Sequence, residues 1–196
     1  MQKTIPEDAI LIPEVAELVF QGDLFGVYQW PQQLYDGSSA TFEMLKRADT
    51  ASVICVVDDR VIVLNEEQPN SGARRNFPGG RIDPDDESVL AAAQREVLEE
   101  TGYQFANWRL VLVKQPVRKM EWFVHYVLAW GVTGQQAVAH DPGEKIALEL
   151  IDFASLRAEF TAHAGYLHDA HDLLDACDSL EGLLAVQEFA GKLVDR

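Results

Sequence analysis

Three carboxylates fall within five residues, at Glu96, Glu99 and Glu100. On a helix, spacings of three and four place them on one face. Like charges so arranged destabilise a helix by roughly a few tenths of a kcal/mol per pair, so a counter-charge is expected. Hard divalent cations are suited to supply it, because Mg²⁺ takes carboxylate oxygens together with water and substrate phosphates. The competing reading is a solvated acidic face, the usual fate of a charge run. The surroundings favour the metal. Arg95 precedes the first carboxylate and can hold such groups through bidentate donors. Pro78-Gly79-Gly80 lies upstream, and its glycines allow a tight turn and close backbone approach to a ligand.

These residues require elements to position them. Leu90, Ala93, Val97 and Thr101 recur at helical spacing, predicting a helix over 85–101 with Gly102 as its C-terminal stop. Ahead of it, β-branched runs at 53–57 and 61–64 flank Asp58-Asp59-Arg60 and predict a hairpin. Strand-like pieces at 24–30 and 41–45 surround the turn former Asp36-Gly37. After the helix come strands at 110–113, 122–130 and 145–153, then a short helix at 154–160. From Tyr166 the pattern is helical again, with Ser179 placed to cap the last helix. Strands around a central helix, with helices after the last strand, indicate an α+β or α/β sandwich. We divide the chain into an N-terminal strand extension (1–50), a catalytic domain (51–160) and a helical C-terminal tail (161–196) packed on it.

Composition narrows the partners. The chain has 196 residues, 47% of them apolar, enough for a sizeable core. With 16 Lys+Arg against 32 Asp+Glu, the net charge of -16 opposes binding of duplex nucleic acid. A small phosphorylated ligand stays compatible, since a bound cation reverses the local field. No apolar run approaches membrane-spanning length, and no secretory leader pattern opens the chain. Cys55 and Cys177 match no zinc or redox spacing and read as reduced thiols. A cytoplasmic protein is expected.

The stretch from Gly80 to Glu87, seven further residues, then Arg95-Glu96-Val97-Leu98-Glu99-Glu100-Thr101-Gly102-Tyr103 resembles the Nudix box. That box is a glycine, a glutamate, then Arg-Glu-apolar-any-Glu-Glu-any-Gly-apolar. Its second half matches at every defined position, and so does the interval from Glu87 to Arg95. From Gly80 to Glu87 the chain is one residue longer than the usual pattern. The hairpin, the segment Glu66-Glu67-Gln68-Pro69 and Tyr35-Asp36-Gly37 resemble ADP-ribose pyrophosphatase-like members, so that residues 24–160 are similar to the family domain.

The resemblance implies an α/β/α sandwich of Nudix type, a mixed sheet flanked by helices. It implies an enzyme that uses Mg²⁺, with Mn²⁺ as a substitute, to hydrolyse a nucleoside diphosphate linked to another moiety. An ADP-ribose or NDP-sugar substrate would give a nucleoside monophosphate and a phosphorylated product. Glu96, Glu99 and Glu100 become metal ligands, joined by the backbone near Gly79 or Gly80, and Glu100 also orients or deprotonates water. Arg95 pairs with Glu87 or a neighbouring carboxylate in a supporting role, and Gly102 ends the helix. Many relatives supply an acid from a later loop, and here Glu144 is the first candidate and Glu149 the second. Arg74 and Arg75 precede the glycine turn and are candidates for phosphate contact, Arg75 being expected nearer the site. Trp122, Tyr35 and Phe77 are available to stack on a base. His168 and His171, beside Asp172, bring too few further ligands for a second metal site.

Other readings remain beside this one. A nucleoside triphosphate pyrophosphatase would release pyrophosphate instead of a sugar phosphate. A non-catalytic nucleotide-sensing module would be expected to have lost box glutamates, and none is lost here. The isomerase branch needs a reactive cysteine where neither Cys55 nor Cys177 falls. N-terminal strands similar to those exchanged in related dimers also imply a homodimer.

Overall fold

The computed structural model describes residues 2–68, 72–138, 145–162 and 168–195. In chain order the elements begin with β1 (Gln2–Ile5), β2 (Glu17–Gln21), β3 (Gly26–Gln33) and β4 (Ser39–Lys46). The expected hairpin follows as β5 (Thr50–Val57) and β6 (Arg60–Gln68), then β7 (Gly72–Asn76) and β8 (Gly79–Arg81). The helix α1 (Val89–Thr101) leads to β9 (Tyr103–Lys114), β10 (Met120–Glu121), β11 (Val124–Gln135) and β12 (Lys145–Asp152). Last come α2 (Phe153–Ala162), α3 (His168–Asp175), α4 (Leu180–Leu184) and β13 (Lys192–Asp195).

The central sheet has the order β12-β6-β5-β11-β9, with β7 added to β6 and β8 to β5. It is mixed, because β11 runs parallel to β5 but antiparallel to β9. Strand β5 shows why the sheet is covered on both sides. Its β-branched residues alternate, so that Val53, Cys55 and Val57 join Ala92, Ala93 and Val97 of α1 in one core. Ile54 and Val56 join Tyr126, Leu128, Leu156 of α2 and Leu174 of α3 in the other. Each fully buried side chain of this size contributes about 1.5–3 kcal/mol. The result is the expected α/β/α sandwich.

A second sheet, order β10-β4-β3-β2, builds the N-terminal extension. It borrows β10 from beyond the helix, parallel to β4, so the extension is tied to the central domain through Met120↔Leu45 and Glu121↔Lys46.

Two expectations need correction. The helix starts at Val89, not at 85, because Ser88 is the N-cap and its hydroxyl accepts from the Ala91 N–H. Asp85, Asp86 and Glu87 therefore lie in the preceding turn. The C-terminal tail is only partly helical. Ser179 does cap α4, accepting from Gly182 N–H, but α4 ends at Leu184. Arg109 then donates to the Leu184 and Val186 carbonyls at 3.0 and 2.6 Å, taking up carbonyls released where the helix ends. The chain continues extended into β13, which pairs antiparallel with β1. Among the described residues no helix is long and apolar enough to cross a membrane.

Candidate active site

The glycine turn meets the acidic helix beside β5, the middle strand of the central sheet. Strand β8 pairs with β5 through Ser52↔Gly79, Ala51↔Gly80 and Thr50↔Arg81. Gly79 has φ 146, and a Cβ there would lie 2.1 Å from the Ala51 carbonyl oxygen, so only glycine fits. Its N–H donates to Glu100 Oε2 at 2.7 Å, which holds that carboxylate against the turn. At Gly80 a Cβ would stand 2.6 Å from Glu96 Oε1. The missing side chain is therefore the space into which Glu96 reaches.

Arg95 organises the carboxylates. It donates to Glu96 Oε1 at 2.8 Å, to Glu99 Oε2 at 3.3 Å and to the Arg81 carbonyl at 3.0 Å. Its firmest partner is Asp86, gripped at 3.2 Å by Nε and at 3.0 Å by Nη2. These bonds keep Arg95 charged far beyond any working pH and hold the Asp86 carboxyl below the usual carboxylate range. Burial raises the Glu96 carboxyl above its ordinary value, against the lowering effect of Arg95. Glu99 is the outermost of the three, with its side chain 57% exposed.

Asp86 is the residue that the sequence pattern did not single out. Counted back from Arg95, the box places its acid at Glu87, whereas counted forward from Gly80 by the usual interval it falls at Asp86. The extra residue separates the two counts, and the fold follows the glycine. Asp86 also accepts from Asp83 N–H at 2.8 Å, locking the turn, while Glu87 is exposed with no such bond. Gly102 caps α1 at φ 72, its N–H donating to Leu98 O and its carbonyl accepting from Gln136 N–H.

The two adjacent arginines part company. Along β7 successive side chains point to opposite faces. Arg74 lines a cavity of about 290 Å³ together with Gly79, Ser52, Arg47, Trp122 and Glu66. Arg75 faces away, where its guanidinium is bound by Glu159 and Glu149 and by Asn65. The expected order is thus reversed, and Arg74 is the nearer to the turn in space. Glu149 is occupied by Arg75, whose hydrogen bond is the main cause that lowers its carboxyl. Glu144 lies outside the described residues. Trp122 and Phe77 are buried in the cavity wall, whereas Tyr35 stands fully exposed at its turn.

The donor set suits a divalent cation. Hard carboxylate oxygens of Glu96 and Glu100 approach a turn whose glycines present bare backbone to them. Among the described residues no three acidic, histidine or cysteine side chains converge on one point. Water and substrate phosphate would then supply the remaining ligands, as Mg²⁺ sites commonly arrange.

The chain is 40% identical over 86 residues to the "Putative 8-oxo-dGTP diphosphatase" of Bacillus subtilis (strain 168). That match takes in 40% of this chain and 55% of the other, so only about half of that relative's length is spanned. A solved structure described as an ADP compounds hydrolase superposes with a TM-score of 0.67 at 20% identity, over 88% of this chain and 94% of that one. At that identity the likeness shows the fold. The model of the NUDIX domain matches residues 46–170, well over half of the chain and including the whole glycine turn and acidic helix. The chain belongs to the Nudix family.

Proposed function

We propose that the protein is a Mg²⁺-dependent pyrophosphohydrolase that cleaves the diphosphate bond of a nucleoside diphosphate linked to another moiety, of the ADP-ribose or NDP-sugar type. The observation that carries this reading is the meeting of Glu96 and Glu100 with the Gly79–Gly80 turn on one face of α1. Glu96, Glu99 and Glu100 would hold the cation with the turn backbone. Bound there, it would neutralise phosphate charge and lower the pKa of a water. Glu100, fixed by the Gly79 N–H, would orient an attacking water and accept its proton. Arg95 keeps Glu96 and Glu99 aligned through its second contacts to Asp86. Most of the rate in such a transfer comes from positioning and charge stabilisation.

The solved structure described as an ADP compounds hydrolase supports the linked-diphosphate reading. The relative described as an 8-oxo-dGTP diphosphatase favours a second one, removal of pyrophosphate from a nucleoside triphosphate. A screen of ADP-ribose, NDP-sugars, dinucleotides and nucleoside triphosphates with Mg²⁺, read by product mass, separates them. A nucleoside monophosphate with a sugar phosphate supports the first, and a monophosphate with pyrophosphate the second. Turnover of none, or Glu100→Gln acting like the parent, overturns both. A homodimer is also proposed, since edge strand β2 exposes Leu18, Val19 and Phe20. Light scattering tests it, and a monomer mass would refute it.

A further inference from the structure

The arginines near the glycine turn are of two kinds. Arg75, Arg81 and Arg95 all give their guanidinium groups to carboxylates. Arg47 and Arg74 line the Gly79 cavity and have no carboxylate partner among the described residues. In a chain with 32 acidic residues against 16 basic ones, two guanidinium groups in one cavity that form no ion pair among the described residues, with Glu66 across from Arg74 as the cavity's carboxylate, need an account.

Arg47 is the better defined. Its guanidinium carbon lies 4.8 Å from the centre of the Trp122 ring, with Phe25 at 5.8 Å. Trp122 is itself 6% exposed, and its indole N–H donates to Thr50 Oγ1 at 3.0 Å. Thr50 belongs to β5, two residues from Ser52, which is paired with Gly79. A chain of fixed contacts therefore connects the arginine to the turn. The ring contact holds the guanidinium in place and keeps its N–H donors available for acceptors such as phosphate oxygens, whose spacing its planar fork matches. A lysine has no such plane.

Arg47 also borders a second cleft of about 570 Å³, lined by Lys3, Lys46, Asp49 and Arg81 among others. The smaller cavity is lined by Gly79, whose N–H donates to Glu100 of the acidic helix, and Arg47 is common to both walls. We infer that Arg47, held over the Trp122 ring, is a substrate-binding residue that grips a phosphate at the boundary of the two cavities. Arg74 assists from the cavity's other side, and one end group of the substrate extends into the larger cleft. This rests on the linked-diphosphate reading above. It deepens that reading by favouring a diphosphate carrying an organic group at both ends.

Calorimetric titration of the full chain with inorganic pyrophosphate and with ADP-ribose, both in EDTA, isolates the arginine contacts from any cation. The parent is expected to bind both, and Arg47→Met to weaken both by about 10- to 100-fold. Arg47→Lys should recover only part of the loss, since the fork is missing. Arg118→Met removes the same charge from an exposed arginine outside both cavities and should bind like the parent. Equal binding by Arg47→Met and the parent overturns the proposal. So does equal weakening by Arg118→Met, full rescue by Arg47→Lys, or a parent that binds neither probe. Because no hydrolysis is involved, failure of the catalytic reading shows separately, as a Glu100→Gln variant that turns over substrate like the parent.

Discussion

Arg95 grips Asp86 with two donors, Nε at 3.2 Å and Nη2 at 3.0 Å, although the sequence pattern points to Glu87 next door. The pair ties the start of the acidic helix to the glycine turn, because Asp86 also holds Asp83 N–H. Asp86→Asn keeps the shape but removes the charge that holds Arg95. We expect it to cut kcat/KM by roughly 10- to 100-fold, as loss of a ligand-orienting partner does. Glu87→Gln should leave kcat/KM within about twofold, the ordinary effect of an exposed substitution. Steady-state kinetics on the two variants decide it, and the reverse order would refute the assignment.

Gly79→Ala puts a methyl 2.1 Å from the Ala51 carbonyl oxygen in a backbone conformation that side chains avoid. Strain and overpacking together should cost about 2–5 kcal/mol. In a chain of this size that corresponds to a fall in Tm of roughly 5–15 °C. A melt within a degree or two of the parent would show that the turn relaxes freely.

Arg74→Ala and Arg75→Ala should separate function from support. Arg74 lines the cavity, and losing it should raise KM by about 3- to 10-fold with Tm unchanged. Arg75 is committed to Glu149 and Glu159, both partly exposed, so its loss should cost about 1 kcal/mol of stability and leave KM alone. Parallel kinetics and melts check both.

His125 is fully buried, with the backbone at Thr50 and Thr4 against its ring. Burial lowers its proton affinity, and the Lys3 charge adds to this, while Asp49 and the backbone at Thr50 and Thr4 act in the opposite sense. A histidine with a folded pKa below its unfolded value binds fewer protons when folded. Its contribution to stability is therefore present above about pH 6.5 and is lost as pH falls from there through the folded value. Urea midpoints at pH 7.5 and 5.5 should show the parent losing more stability than His125→Phe. Equal losses would assign the acid sensitivity elsewhere.

Much of this was legible in the sequence because it was local. The helix face, Gly102 and the β5–β6 hairpin follow from spacing within a few residues. The boundary at Val89 was missed because the acidic residues before Ser88 are good first-turn residues, yet Asp86 is engaged by Arg95 from the turn. Arg47 was missed because what distinguishes it is a partner, Trp122, in the distant link between β10 and β11, and the lack of an ion pair among the described residues, neither of which has a sequence signal. Arg75 looked nearer than Arg74 because sequence order hides strand alternation. The short strands β1, β10 and β13 depend on long-range pairing and carry too few residues to show a period.

The β1–β13 pair joins Gln2 with Asp195, so its register spans nearly the whole chain. Closing a loop of that length costs entropy that is repaid only once both strands are in place. On a ribosome the small core of Ile5, Val113 and Phe123, packed against Phe189 and Val194, must wait for β13 to emerge. Until then β1 has an open backbone edge and His125's surroundings are incomplete. Vectorial synthesis thus leaves the sandwich to form first and the clasp to close last, making the interval before closure the time of greatest exposure to aggregation.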